Sequence, residues 1–259
     1  MTDAVIVKKE NHICFIKMNQ PEKRNALSSE LISGLKAALE DAEQDADIRA
    51  IILSGEGKGY CSGGDIESMG GDAGPVDSIK YMEAASSLTQ TIVNLDKYVI
   101  SAVHGFAAGA GFSLALASDF IVAHQQTKFI SSFRNIGLVP DLGLIKLLAE
   151  RVPLPIAKEW VSTGKPIQAE KIHSYGLINR LVEIPDIVEE AADFAQFIID
   201  GPPLSNKFVK HLFNHSGDIS LDTSLVQEQI IQSLMFHTKD ANEGIQAFLE
   251  KRSPRFTGK

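Results

Sequence analysis

At 259 residues, with 44% hydrophobic and 22% charged residues, the chain has the size and composition of one large globular domain, or of one domain with a small appendage. Its formal net charge of -8 excludes a general nucleic-acid binder, which needs a basic surface to neutralise phosphates, but allows one phosphorylated ligand held by a few local Lys or Arg side chains. Two cysteines, Cys14 in an apolar run and Cys61 beside a glycine-rich turn, read as free thiols in a reducing compartment, and Met1 to Glu10 lacks the basic region and apolar core of a signal peptide, so a cytoplasmic location is expected.

Ala4–Lys8 and His12–Met18 are Val- and Ile-rich runs that predict paired strands. Ser28–Ala46 predicts a helix capped by Ser28 or Ser29, with Leu31, Ile32, Leu35, Ala38, Leu39 and Ala42 at helical spacing. Arg49–Ser54 is a strand of the fully buried type, and Gly55–Gly64 a loop with glycines at 55, 57, 59, 63 and 64. Pro75–Leu95 has a helical pattern that puts Ile79, Met82, Leu88 and Ile92 on one side; Val99–Val103 is a strand, Gly109–Ala117 a helix start and Phe120–Ala123 a further strand. Tyr98–Ser118 carries no Asp, Glu, Lys or Arg and approaches the length of a membrane span, yet it is built from Ala, Gly and Ser around His104. A strand, a glycine turn and a buried helix account for it, and no membrane segment is expected. The alternation of strands and helices predicts an α/β fold.

After Asp141 the pattern becomes helical: Leu142–Arg151, Pro155–Ser162, Ala169–Tyr175, Ile187–Ile199, Leu204–Asn214, Leu221–His237 and Ala241–Lys251. Residues 1–200 are expected to form the core and 201–259 a helical region for oligomer contacts.

Two glycine-rich turns each follow a strand: Gly59-Tyr60-Cys61-Ser62-Gly63-Gly64-Asp65-Ile66 and His104-Gly105-Phe106-Ala107-Ala108-Gly109-Ala110-Gly111. Either one alone is an ordinary tight turn. Facing each other, they would aim two backbone donors at one oxygen, as an oxyanion hole does. Neither has the spacing of a dinucleotide-binding or Walker motif, no Gly-x-Ser-x-Gly elbow surrounds any serine, and no His, Cys and carboxylate cluster has metal-ligand spacing.

In order along the chain stand Asn19-Gln20-Pro21-Glu22-Lys23-Arg24-Asn25-Ala26-Leu27, the two turns, Ala117-Ser118-Asp119-Phe120-Ile121-Val122-Ala123, Ile136-Gly137-Leu138-Val139-Pro140-Asp141, Thr238-Lys239-Asp240-Ala241-Asn242-Glu243-Gly244 and Pro254-Arg255-Phe256. This series resembles the crotonase (enoyl-CoA hydratase/isomerase) superfamily over nearly the whole chain. The resemblance implies a spiral of ββα units followed by helices that build a homotrimer or a dimer of trimers. It implies an acyl-CoA substrate with coenzyme A as the thioester carrier, and no prosthetic group. By position, the oxyanion donors would be the N–H groups of Gly64 and Ala110. Ala26, Ser62, Asp65 and Ile66 would line the CoA path, with Lys23 and Arg24 at its phosphates, or else forming an ordinary solvated charge pair. Phe256 and Lys259 match positions where a neighbouring subunit touches CoA.

The resemblance also shows a departure. A typical enoyl-CoA hydratase carries two glutamates that together hold one water; the matching positions here are Ser113 and Phe133. One carboxylate remains at an active position, Asp141, where ring-epoxide isomerases of the superfamily carry a catalytic aspartate. A single carboxylate suffices for a proton shift. Asp141 also reads as a helix N-cap, and the two roles can coexist. An acyl-CoA isomerase is therefore expected, with a hydratase using another base, or a non-catalytic acyl-CoA-binding protein, as alternatives. Tyr60, Tyr81, Ser131, Ser132 and Asn135 are candidates for the acyl pocket. His104 reads as a buried, hydrogen-bonded histidine, Asp119 as the anchor of the next strand, and Glu67 and His124 as surface residues.

Overall fold

The computed structural model describes residues 4–66, 74–183 and 186–259; Glu67 lies outside them. The main sheet has six strands: β1 (Val5–Glu10), β2 (Ile13–Met18), β3 (Ala50–Gly55), β4 (Tyr98–Val103), β6 (Phe120–His124) and β9 (Arg180–Val182), in that spatial order. β1 and β2 are antiparallel and every later pairing in this sheet is parallel. A second sheet joins three short strands, β5 (Phe106–Ala108), β7 (Lys128–Ile130) and β8 (Ile167–Gln168). The sequence carried no strand signal for these segments or for β9, because two or three residues are too few to show a period.

The described helices are α1 (Ser29–Gln44), α2 (Pro75–Asn94), α3 (Ala110–Ala117), α4 (Leu144–Arg151), α5 (Leu154–Thr163), α6 (Ala169–Ser174), α7 (Ile187–Asp200), α8 (Pro203–His215), α9 (Leu221–Met235) and α10 (Lys239–Glu250). None among the described residues is long and apolar enough to cross a membrane. Ser28 caps α1 by accepting from Leu31 N–H, and the six apolar positions picked out by helical spacing are all buried.

Helices cover both faces of the main sheet. Ile51 and Leu53 of β3 pack with Leu31, Leu35 and Leu39 of α1 on one side. Ala50 and Ile52 turn the other way, onto Ile187, Ala191, Ala195 and Ile198 of α7. Alternate residues of one strand thus enter two cores, which is why β3 is an unbroken apolar run rather than an alternating one. Each such Leu or Ile contributes about 1.5–3 kcal/mol on burial. All eight residues of α3 are buried, as expected of a helix that is apolar on every side.

Three expectations are corrected. Ile79 of α2 is 58% exposed, and the inward face is formed by Ala85, Leu88 and Ile92. Tyr60 is fully buried with its hydroxyl hydrogen-bonded to Ser101 Oγ at 2.9 Å, so it belongs to the core and not to an acyl pocket. α4 starts at Leu144 rather than Leu142, because Leu142 and Gly143 have φ of 49° and 84°, which a right-handed helix cannot contain.

Asp119 anchors more than the next strand. Its Oδ2 accepts from Val99 N–H and from Lys210 Nζ, each at 2.8 Å. Lys210, only 3% exposed, also donates to the carbonyls of Ile92 and Lys97 and so ties α8 to the sheet. Lys210→Met leaves Asp119 without its cation and is expected to cost about 3–5 kcal/mol in urea unfolding. A loss below about 1 kcal/mol, the range of an exposed pair, would show that the pair is not what holds α8.

Candidate active site

β3 and β4 are neighbouring parallel strands, so their carboxyl ends emerge side by side, about 4.8 Å apart. Each runs into one of the two glycine turns, and the turns stay in contact. Cys61 and Ala107 form a parallel bridge, and Ala108 N–H donates to Cys61 O at 2.9 Å. A Cβ on Gly111 would lie 2.5 Å from Cys61 O, closer than any real Cβ contact. Gly109 has φ 52° and ψ -125°, a conformation open only to glycine. A Cβ on Gly63 would lie 3.0 Å from Ala108 O and 3.5 Å from Ala110 N. The turns therefore meet main chain to main chain. Ala110 opens α3, where an N–H has no carbonyl four residues back. Among the described residues, neither the Ala110 nor the Gly64 N–H donates to a protein acceptor.

A third segment holds the first turn. Ser62 N–H donates to Arg24 O at 3.0 Å and Leu27 N–H to Gly63 O at 2.7 Å. Asn25, fully buried with φ 53°, donates to the carbonyls of Glu56, Gly59 and Tyr60 and accepts from Gln20 N–H. The sequence reading gave Asn25 no role; its only signal was a turn-prone residue beside two cations.

Asp141 is tied to α3 through its main chain. Ser113 of α3 donates its hydroxyl to Asp141 O at 3.0 Å, and Leu144 N–H donates to the same oxygen at 3.0 Å. The side chain does not cap α4, whose N-cap is Gly143 without a side-chain bond. Instead Oδ1 is enclosed with no hydrogen-bond partner. Burial pushes this carboxyl up to about 6, against a smaller opposing bond from its own backbone N–H. Tyr81 of α2 donates to Leu27 O at 2.6 Å; burial pushes its phenol up to about 12, with the charges of Asp141 and Asp65 adding. Tyr81 thus faces both the aspartate and the first turn. Phe133 is buried, and a Cβ on Gly109 would lie 3.9 Å from its Cζ; Leu138 is 49% exposed.

The remaining sequence candidates are scattered around this centre. Ala26 and Asp65 are buried beside the first turn, Ser62 is half-buried, and Ile66 is 60% exposed. Arg24 and Ser62 line a cleft of about 500 Å³ with Phe106, Lys128 and Ser132. Lys128 went unnoticed in the sequence because only the β5–β7 pairing brings it there. Lys23 is exposed and does not line this cleft. Ser131 is buried with no partner for its hydroxyl, and exposed Asn135 reaches Gly164 O at 3.5 Å, away from the turns. His104 is half-buried, with Nε2 bonded to Gly57 O, and His124 is half-buried at the end of β6. Phe256 O accepts from Arg49, at the start of β3, and Lys259 O accepts from Lys239 and Asp240. Within one chain the tail therefore lies at the opposite end of β3 from the glycine turns.

Residues 8–259 match the family model described as enoyl-CoA hydratase/isomerase. The chain is 32% identical to the 1,2-epoxyphenylacetyl-CoA isomerase of Escherichia coli K12 over the full length of both. It is 29% identical to a short-chain-enoyl-CoA hydratase of Clostridium acetobutylicum, covering 96% of this chain and 95% of that protein. The structure of an enoyl-CoA hydratase from Polaromonas sp. JS666 superposes with a TM-score of 0.95 at 33% identity, covering 97% of this chain and 99% of the other. The chain belongs to the enoyl-CoA hydratase/isomerase family, and its α/β architecture is the crotonase fold.

The raised carboxyl has a consequence for stability. An acid whose folded pKa lies above its unfolded value stabilises the fold while protonated, and that stability is lost as pH rises from about 4 through about 6. Asp141→Asn is expected to unfold at a higher temperature than the wild type at pH 8, with the gap closing towards pH 4. A gap of constant size across this range would mean the carboxylate is not desolvated.

Proposed function

We propose that this enzyme is an acyl-CoA isomerase that moves a double bond, or rearranges a ring, through a thioester enolate, with Asp141 as its single base. The observation that carries the proposal is the unpartnered Asp141 Oδ1, with Ser113 and Phe133 standing at the two hydratase glutamate positions. Holding one water for syn addition takes two carboxylates, whereas a 1,3-proton shift takes one group that removes a proton and returns it elsewhere. The carboxylate takes the α or γ proton of an unsaturated acyl chain, negative charge develops on the thioester oxygen, and the proton is delivered to the other end of the dienolate. Nothing is added to the substrate and nothing leaves.

In this reading Gly64 and Ala110 N–H are the oxyanion donors. They need no reorganisation as charge develops, and losing one such donor costs about 3–4 kcal/mol in comparable sites. The carboxyl near 6 suits a base that must also give its proton back at neutral pH. The 1,2-epoxyphenylacetyl-CoA isomerase relative supports the isomerase assignment. A fatty or aromatic-derived acyl group suits the apolar Phe133, whose ring approaches Gly109 of the second turn, and exposed Leu138. Coenzyme A would follow Ala26, Ser62, Asp65 and Ile66, with Arg24, Lys128 and Lys23 on the side of its phosphates. Exposed Leu221, Leu225, Ile230 and Leu234, spaced along α9, and Phe248 and Leu249 of α10 support a homotrimer or a dimer of trimers, in which Phe256 and Lys259 would reach a neighbour's CoA.

Proton NMR of a 3-enoyl-CoA and a 2-enoyl-CoA in deuterated buffer tests the assignment. Wild-type enzyme is expected to migrate the double bond with deuterium uptake, and Asp141→Asn to lose about 10²-fold or more. Addition of water in place of migration would make the protein a hydratase. Undiminished migration by Asp141→Asn would remove Asp141 from the mechanism.

The pH profile is a separate check. The Tyr81 phenol on α2 feels the charges of both Asp141 and Asp65. A base must be ionised, so kcat/KM is expected to fall about tenfold per pH unit below about 6 and to level off above it. An acid limb near 4 would show that the carboxyl is solvated when substrate is bound.

A further inference from the structure

Asp141 is followed by two residues in the left-handed region, Leu142 at φ 49° and Gly143 at φ 84°. Glycine adopts this conformation freely; leucine does not, and persists in it only where the surroundings hold it. Leu142 is buried. Two side-chain hydroxyls close on the main chain of this turn from different helices. Ser113 on α3 donates to Asp141 O at 3.0 Å, and Thr89 on α2 donates to Leu142 O at 3.3 Å. The methyl of Thr89 also approaches Gly143, 3.9 Å from where its Cβ would be.

A serine inside a helix ordinarily turns its hydroxyl back to the carbonyl four residues earlier. For Ser113 that carbonyl is Gly109 O, at 3.5 Å, so the shorter bond leaves the helix for the Asp141 turn. Asp141 O has a second donor in Leu144 N–H, so its hydrogen bonding does not depend on Ser113 alone. What Ser113 adds is a tie between the aspartate's main chain and α3, the helix whose first N–H is that of Ala110.

We propose that Ser113 and Thr89 are positioning residues, a pair of hydroxyl clamps that hold the Asp141–Gly143 turn in its left-handed conformation and so set the carboxylate at a fixed place relative to the second glycine turn. The proposal rests on Asp141 being the base. Ser113 then has a use at the very position where a hydratase carries a glutamate: it orients a carboxylate supplied by another segment. Because the clamps grip main chain, they act on the aim of Asp141 and leave the binding of the CoA portion alone.

The experiment uses the full-length protein with 3-hexenoyl-CoA as probe, following kcat and KM for double-bond migration together with the unfolding temperature. Ser113→Ala and Thr89→Val are each expected to fold, to lower kcat tenfold or more and to leave KM within twofold, while Ser113→Thr, which keeps the hydroxyl, stays within threefold of wild type. The double variant is expected to lose much less than the product of the two single losses, since both act on one turn. Wild-type kcat in Ser113→Ala, a loss confined to KM, or losses that multiply would each overturn the clamp. Should Ser113→Ala fail to fold, Thr89→Val decides by the same kcat and KM criterion. Asp141→Asn separates the two levels: if it is inactive while the clamp variants are normal, only the clamp fails. If it is active, or if the wild type leaves the probe unchanged, the aspartate reading fails and the clamp with it.

Discussion

The site depends on one contact: the approach of two glycine turns so close that no Cβ fits between them. A Cβ on Gly111 would collide with Cys61 O, and Gly63, at φ 113°, lies tightly against Ala108 O. Two adjacent parallel strands deliver the turns to the same edge of the sheet, which is where open α/β sheets place their ligands. Asn25 then fixes one turn by its side chain, and the start of α3 fixes the other by the helix itself. An arrangement of backbone N–H groups held in this way is rigid before any ligand arrives, which is what preorganised electrostatic stabilisation requires.

A main-chain hole does not select a reaction, and the family includes proteins named as isomerases and as hydratases on one architecture. Selection falls to the few side chains facing the hole. The candidates here are an aspartate without a hydrogen-bond partner on Oδ1, a tyrosine whose phenol feels its charge, a buried phenylalanine near Gly109 and a serine whose hydroxyl bonds the aspartate's main chain. The same desolvation that raises the Asp141 carboxyl makes its charged form costly to the fold. A residue suited to stability alone would be neutral there, and a neutral residue could not serve as the proposed base.

Much of this was legible in the sequence. The long helices showed because a 3.6-residue period survives over many turns, as in α1, where all six marked positions are buried. β3 showed as an unbroken apolar run because it is covered on both faces. The second sheet did not show, since its strands are two or three residues long and one lies inside a glycine turn. The start of α4 was misplaced because nothing in the types Asp141-Leu142-Gly143 announces a leucine with positive φ. Tyr60 passed for a pocket residue because a tyrosine beside a glycine turn looks the same whether its hydroxyl meets a ligand or, as here, Ser101.

By itself the sequence determined the order of the longer strands and helices, the presence of two glycine turns behind two strands, and the absence of both hydratase glutamates, because periodicity and residue identity are properties of the chain alone. The family resemblance also singled out one remaining carboxylate, Asp141. Only the tertiary structure decided that the turns touch, that Asp141 is not a helix cap, that its Oδ1 is enclosed without a partner, and that Ser113 reaches across from α3 to its main chain. Burial and hydrogen bonding between segments 28 or more residues apart are set by packing, and no local pattern encodes which of several polar residues will be shut away from water.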